Sequence, residues 1–475
     1  MKRLGAICLL LCLLLSLFQP AVTAFAAPTE PQPGADYKNT WNTLDASVSV
    51  LGNSKLINNA AAVILYEANS DTLMYAWNAD TQVYPASMVK ILTALMAIEY
   101  GQLTDIVTVD ANVLDTVPYD AVSAELQEGE TISLEDLLYC MMVGSANDAA
   151  AVIAAHISGT QAAFVEEMNR YAQALGCTGS RFTNVHGLHD KEQYTTARDV
   201  ARILAAASQN EYFMKLFCAT NYTVPETNKY SARKLITSNY LISKEKEEIY
   251  FDNRVIGGRT GVTTDQKRCL AAVSESNGMK LISVVMGASS QYAADGYTIE
   301  LFGSFSETSD LLDHASAGYR CTQVLFNGQI LRQRPVTGAR NMVMLGSTSS
   351  LFAVLPSNIT SAELVYQYTD SMDEFRVPIQ KGEILSYVEV WYGGVRVAQA
   401  QLQAMNDVVA VSFDDPMKGS DQDNGWIWIV LLIVVGAVFA VFIGIAVFNR
   451  LNRGMRRAAA RKRSRGYRRS RRRSR

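Results

Sequence analysis

A chain of 475 residues with 49% hydrophobic and 19% charged side chains is too apolar to be disordered and too long for one typical domain. Its formal charge of −3 hides two opposed regions: of 43 basic side chains, 14 follow residue 449 and two precede residue 4, leaving 27 against 46 acidic ones between. A body with that acidic excess disfavours unspecific attachment to phosphate backbones, so no nucleic acid partner is expected.

Lys2 and Arg3 precede the apolar run "LGAICLLLCLLLSLF" and the small residues of "VTAFAA", the layout of a secretory signal over residues 1–26 with cleavage after Ala26. A polar leader over 27–41 follows. "AAAVILYEANSDTLMYAWNAD" predicts two strands about a turn at Asn69 to Asp71. "YPASMVKILTALMAIEYG", from Tyr84 to Gly101, predicts a helix with Pro85 in its first turn, where the missing backbone donor has no partner to lose. Helical patterning runs from about Leu134 to Leu175 and again from Ala197 to Phe217. Strands return at "RCLAAVSES" and "MKLISVVMGA", and "DGYTIELFGSFSETSDLL" reads as a closing helix. Strands at both ends of a helical middle predict one sheet covered by helices, over residues 42–317.

From 318 to 412, short alternating runs such as "AELVYQYT", divided by Gly, Pro, Asn and Asp, predict a small all-β domain. A polar linker over 413–425 leads to "WIWIVLLIVVGAVFAVFIGIAVF", residues 426–448, which carries no charge over 23 positions and predicts one transmembrane helix. A buried core helix of that length would carry a polar face, which this run lacks. The arginine-rich tail, 449–475, is expected to stay in the cytoplasm with the body outside, and to contact anionic lipid headgroups. Cys8 and Cys12 leave with the signal; Cys140, Cys177, Cys218, Cys269 and Cys321 are too sparse for a disulfide framework. Without a CxxC pair, and with His156, His186, His189 and His314 scattered, neither a metal nor another cofactor is expected.

Ser87 and Lys90 lie three apart, on one helical face. A serine hydroxyl is a weak nucleophile until a base takes its proton, and a lysine serves as that base only where burial or a neighbouring cation lowers its pKa. Met88, Val89, Ile91, Leu92 and Leu95 supply the apolar surroundings, and the helix start favours developing negative charge. The spacing alone is not specific: "SARK" at Ser231 and "SKEK" at Ser243 share it among charged neighbours, and a helix cap followed by a lysine fits Ser87 equally well. "GSAND" puts Ser145 and Asn147 in a glycine-marked break, either as an ordinary cap or as a loop aiming a hydroxyl and an amide into a cleft. "GGRTGVT", Gly257 to Thr263, is either a hairpin turn or a basic, hydroxyl-bearing anion site.

Ser-x-x-Lys, Ser-x-Asn and a basic-Thr-Gly triplet, in that order, resemble the signature of the penicillin-interacting serine enzymes. The chain resembles the low-molecular-weight penicillin-binding proteins, the serine-type D-alanyl-D-alanine carboxypeptidases of bacterial cell-wall maturation. The resemblance covers about residues 40 to 415. It includes "ASMVKILTAL", "GSANDAA", "FTNVHGLHD", "TTARDV", "GGRTGVTTDQKRCLAA" and "VPIQKGEILSYVEV". It implies a mixed α/β serine β-lactamase/transpeptidase-like domain, with an antiparallel sheet flanked by helices. By residue it implies Ser87 as the acylated nucleophile, Lys90 as general base, and Ser145 as proton relay to the departing D-alanine. Asn147 would orient Lys90 and the substrate amide, while Arg259, Thr260 and Gly261 would hold the substrate's terminal carboxylate. The backbone N–H groups of Ser87 and Val262 would form the oxyanion hole, and His186 would be architectural. The implied partners are peptidoglycan stem peptides ending in D-Ala-D-Ala, and β-lactams as covalent inhibitors.

Two departures stand out. The family usually has lysine where this chain has Arg259, whose planar fork can hold a carboxylate through two hydrogen bonds but does not share a proton. The segment from Ala288 to Asp295 has no arginine where relatives commonly carry one before the closing helix, so no further substrate contact is expected there. A peptidoglycan endopeptidase with the same centre and a catalytically impaired wall-binding scaffold are the alternatives. A β-lactamase is disfavoured by the absence of a Glu-x-x-Leu-Asn motif.

Overall fold

The computed structural model describes residues 49–411, except 53, 58, 245–247 and 296–298, together with 431–436, 438, 441, 443 and 445. The expected signal, leader, linker and arginine-rich tail lie outside the described residues, as does most of 426–448; among the described residues no helix is long and apolar enough to cross a membrane. The chain divides into two compact units, one of Met1–Pro335, Met342–Phe375 and Ile379–Asp407, the other of Val336–Asn341, Arg376–Pro378 and Val408–Arg475. The larger unit holds every strand and helix named below.

Strands β1 (Ala62–Glu67) and β2 (Thr72–Trp77) form the expected hairpin, with Asp71 in the left-handed region at φ 50°. Helix α1 (Val89–Tyr100) follows, then α2 (Leu134–Met142), α3 (Asn147–Ser158), α4 (Gln161–Ala174), α5 (Ala197–Ala207) and α6 (Glu211–Phe217). Four of these begin where a short polar side chain accepts the backbone N–H three residues ahead: Ser133, Thr160, Thr196 and Asn210. The last of them splits the single helical stretch expected over 197–217, because Asn210 caps α6 instead of continuing α5.

Strands β3 (Val255–Val262), β4 (Arg268–Ser276) and β5 (Met279–Ala288) complete an antiparallel sheet in the order β2-β1-β5-β4-β3. The mixed α/β fold expected from the sequence is thus present. Alternation along β1 divides its side chains between two cores: Ala62, Ile64 and Tyr66 face the block of helices α1 to α6, while Val63 and Leu65 join Phe305, Leu311 and Leu312 of α7 (Gly303–Gly318). Each of the fully buried Ile64, Val63, Leu65, Leu311 and Leu312 side chains contributes about 1.5–3 kcal/mol, so the sheet is held from both faces.

Two local expectations change. "GGRTGVT" belongs to the edge strand β3, and the turn comes later, where Thr263 N–H donates to Lys267 O at 3.0 Å. The closing helix starts only at Gly303, since Ile299–Leu301 pairs with Gln291–Tyr292 as a short ribbon. Beyond α7 the chain runs through strands: β6 (Tyr319–Leu325), β7 (Ile330–Arg334), β8 (Val343–Ser347), β9 (Leu351–Pro356), β10 (Val365–Asp370), β11 (Ile384–Tyr392) and β12 (Val395–Ala404). β6 pairs with β9, and the others form an antiparallel sheet in the order β7-β8-β12-β11-β10. The five cysteines from Cys140 to Cys321 are all free thiols.

Candidate active site

A single 3-10 turn, Ala86–Met88, connects Pro85 to α1. Ala86 takes φ +47°, a left-handed conformation that costs a residue with a Cβ about 1–2 kcal/mol. Neither the turn nor α1 has a side-chain cap, so Ser87 is not a capping residue; its hydroxyl lies 3.3 Å from Lys90 Nζ. Two glycines admit this strained turn. Gly187, at φ +85°, passes so close that a Cβ there would fall 1.9 Å from Ala86 O, and a Cβ at Gly261 on β3 would meet Ala86 Cβ at 3.0 Å and Ser87 N at 3.1 Å.

Lys90 is fully buried. Its Nζ donates to Asn147 Oδ1 at 2.7 Å and to His186 O at 2.9 Å. Burial, followed by the nearby charge of Arg259, pushes its pKa well below the usual lysine value, against a smaller upward pull from Asp148. The amine is therefore held toward its neutral form. The His186 imidazole is driven down to about 4 by burial and by Lys90, and its Nδ1 accepts the Leu188 N–H at 3.2 Å.

Ser145 stands at φ +63° before α3, and the helix cap is Ala146, which makes no side-chain bond. The capping alternative for "GSAND" therefore fails. Asn147 Nδ2 donates to Val122 O at 2.8 Å. Asp148, absent from the sequence-predicted set, accepts from Ala124 N at 2.9 Å, Leu126 N at 3.1 Å and the Ser123 hydroxyl at 2.7 Å. Asn147 and Asp148 thus tie one wall of the site to the start of α3.

The other wall is β3, whose side chains alternate. Val255, Gly257, Arg259 and Gly261 are buried, whereas Thr260 is half-buried and Val262 is 49% exposed. Arg259 reaches behind the wall: its guanidinium donates to Met142 O at 3.0 Å, to Ser87 O at 3.4 Å and to Ser145 Oγ. Burial draws its pKa down to about 10, so it keeps its charge at neutral pH. A direct grip on a substrate carboxylate was expected of this residue; its donors are instead engaged by the protein, and the exposed part of the triplet is Thr260, hydrogen-bonded to the Ser238 hydroxyl. Ser238 carried no signal in the sequence. Because Thr263 N–H points inward to Lys267 O, the antiparallel register turns the N–H of Val262 outward, toward the edge where Gly261 meets the Ser87 backbone.

These segments enclose a cleft of about 570 Å³ lined by Ser87, Ser145, Asn147, Thr260, Gly261 and Val262. All the sequence-predicted site residues meet there, with Lys90 and Arg259 behind the surface. The competing Ser231 and Lys234 are exposed and lie outside it, and Lys246 falls outside the described residues.

A serine beside a buried amine with lowered basicity, on a helix packed under an antiparallel sheet, defines a serine acyl-transfer enzyme of the penicillin-binding class. The D-alanyl-D-alanine carboxypeptidase family (Peptidase S11) matches residues 51–290. The chain is 30% identical over 383 residues to the D-alanyl-D-alanine carboxypeptidase DacA of Haemophilus influenzae, covering 79% of this chain and 89% of that one. It is 26% identical to DacF of Bacillus subtilis, covering 76% and 88%. Penicillin binding protein 5 from Haemophilus influenzae superposes with a TM-score of 0.63 at 29% identity, over 75% of this chain and all of that one. The chain belongs to the D-alanyl-D-alanine carboxypeptidase family and is a serine-type DD-carboxypeptidase.

Proposed function

We propose that this cleft removes the terminal D-alanine from peptidoglycan pentapeptide stems through an acyl-enzyme on Ser87. The observation that carries the assignment of roles is the set of partners around Lys90. A neutral amine has two N–H donors and one lone pair; Asn147 Oδ1 and His186 O accept the two protons, which leaves the lone pair for the Ser87 hydroxyl. As Ser87 Oγ bonds to the carbonyl carbon of the penultimate D-alanine, its proton passes to Lys90 Nζ. The oxyanion is received by the N–H groups of Ser87 and Val262. Ser145, held by Arg259, relays a proton to the nitrogen of the departing D-alanine as the C–N bond breaks. Water then attacks the ester carbonyl, and Ser87 recovers its proton.

β-Lactams acylate Ser87 in the same way. Incubation with a labelled penicillin and with a pentapeptide ending in D-Ala-D-Ala tests both steps; a Ser87→Ala protein that still releases D-alanine overturns the nucleophile assignment. Release from cross-linked dimers in preference to pentapeptide would assign the site to endopeptidase work instead.

We further infer that residues 1–26 direct export, that 42–317 form the catalytic domain and 318–412 a small β domain, and that 426–448 anchor the chain with the tail in the cytoplasm against anionic lipid. The charge-free run of 23 residues, the 14 basic residues after it and the change from helix to strand at Tyr319 support this arrangement. Removing residues 426–475 is expected to release the protein from membranes, and continued integral-membrane behaviour overturns the topology.

A further inference from the structure

We propose that Arg268, on the strand next to the edge strand, is the cation that receives the substrate's terminal carboxylate. The proposal rests on the carboxypeptidase reading above. A peptide ending in a free carboxylate brings a full negative charge into the cleft, and an acyl-transfer site that selects such peptides needs a positive partner there. The two basic groups behind the wall do not provide one. Lys90 is held toward neutrality, and all three guanidinium nitrogens of Arg259 donate to Ser87, Met142 and Ser145.

Among the described residues, Arg268 is the only lysine or arginine lining the cleft, where Asp120 and Asp190 also lie. No carboxylate among the described residues pairs with it, and its Nε is buried without a hydrogen-bond partner. Its guanidinium carbon stands 5.0 Å from the centre of the Phe302 ring, a stacking that holds the planar group while leaving its in-plane donors available. The strand register makes Arg268 the direct neighbour of Val262 and the diagonal neighbour of Thr260, whose hydroxyl already faces the cleft. A carboxylate seated on Thr260 and Ser238 therefore falls within reach of a long side chain from the adjacent strand. The chemistry favoured is a planar carboxylate, which matches the two-donor edge of a guanidinium.

The test compares a peptide ending in D-Ala-D-Ala as the free acid with the same peptide as its C-terminal amide, using the full chain in detergent. For Arg268→Gln, kcat/KM for the acid is expected to fall about 100-fold, chiefly through KM, with the amide little changed. Arg268→Lys, which keeps the charge and loses the fork, is expected to lower the acid-to-amide ratio about tenfold. The ratio is measured on the same folded sites, so partial loss of folded enzyme cancels, and the Lys variant carries the test if the Gln variant does not fold. An unchanged ratio in either folded variant overturns the role of Arg268 alone. Failure of the unaltered enzyme to release D-alanine from the acid overturns the carboxypeptidase reading and this inference with it.

Discussion

The assignment of Lys90 as base is tested most directly by Asn147→Asp, which keeps the shape of the side chain and adds a charge. The Asn147 oxygen lies 2.7 Å from Lys90 Nζ, and both residues are buried. At that distance and an effective dielectric of about 20, a full negative charge attracts an ammonium by about 6 kcal/mol, equivalent to about 4 pH units. The new carboxylate must itself be desolvated, and it loses the donor that bonds Val122 O; these costs of a few kcal/mol cancel about half of the shift. The Lys90 pKa should therefore rise by about 2 units. Acylation needs the neutral amine, so raising its pKa removes activity at low pH and restores it as pH rises. The assay is the second-order rate of acylation by a fluorescent penicillin between about pH 6 and 10 for the native, Asn147→Asp and Asn147→Ala proteins. The Asp variant should be slower by about 100-fold on the acid limb of the native profile, with that limb displaced by about 2 units toward higher pH. A uniform drop with the acid limb in its native place would refute Lys90 as the titrating base.

The His186 ring, held at a pKa of about 4 against about 6.5 in the unfolded chain, leaves the unfolded state binding more protons between those values. Stability is thus expected to fall by roughly 3 kcal/mol as pH drops through that window, and His186→Gln should flatten that part of a urea-denaturation profile. The buried pair of Arg233 Nη2 with Glu130 at 2.6 and 2.7 Å ties the strand before Ser238 to the loop below the Asn147 wall. Arg233→Met leaves that buried carboxylate without its cation, with only Thr227 and the Gln127 N–H, among the described residues, donating to it, and should destabilise the fold by about 3–5 kcal/mol in chemical denaturation, while adding Glu130→Gln recovers much of the loss.

The starts of α2 and α5 and the hairpin of β1 and β2 were legible because each is set by a local device, a cap or a turn residue, whereas the cap at Asn210 lay inside an unbroken apolar pattern and was passed over. Ser87 and Ser145 could be separated from ordinary caps only by tertiary structure: Gly187 and Gly261 close over the Ala86 turn that carries Ser87, and the guanidinium of Arg259 donates to the Ser145 hydroxyl. The same glycines misdirect local reading: "GGRTGVT" has the composition of a turn, but Gly261 is present to let a strand approach the Ser87 backbone. A turn has no alternation to say which way a side chain faces. Once the segment is a strand, Arg259 belongs with the buried positions and Thr260 with the cleft, and the cross-strand neighbour Arg268 comes into view. Arg268 had no motif to announce it.

The departure at position 259 also fixes where the proton goes. Two basic side chains buried side by side repel, and one of them must give up its charge. With lysine at both positions the pair would be chemically alike and either amine could do so. Arginine removes that symmetry: even drawn down to about 10 by burial, Arg259 stays charged at neutral pH, and its charge is the second cause that lowers Lys90. Lys90 is thus the partner pushed toward neutrality, and in the proposed acylation Asn147 and His186 take its two N–H groups and leave the lone pair for Ser87. A guanidinium cannot accept a further proton, so the proton leaving Ser87 has one basic destination behind the cleft wall. On the proposed reading, Arg259 lowers the basicity of its neighbour and holds Ser145, and recognition of the substrate carboxylate falls to the face of the sheet that carries Thr260 and Arg268.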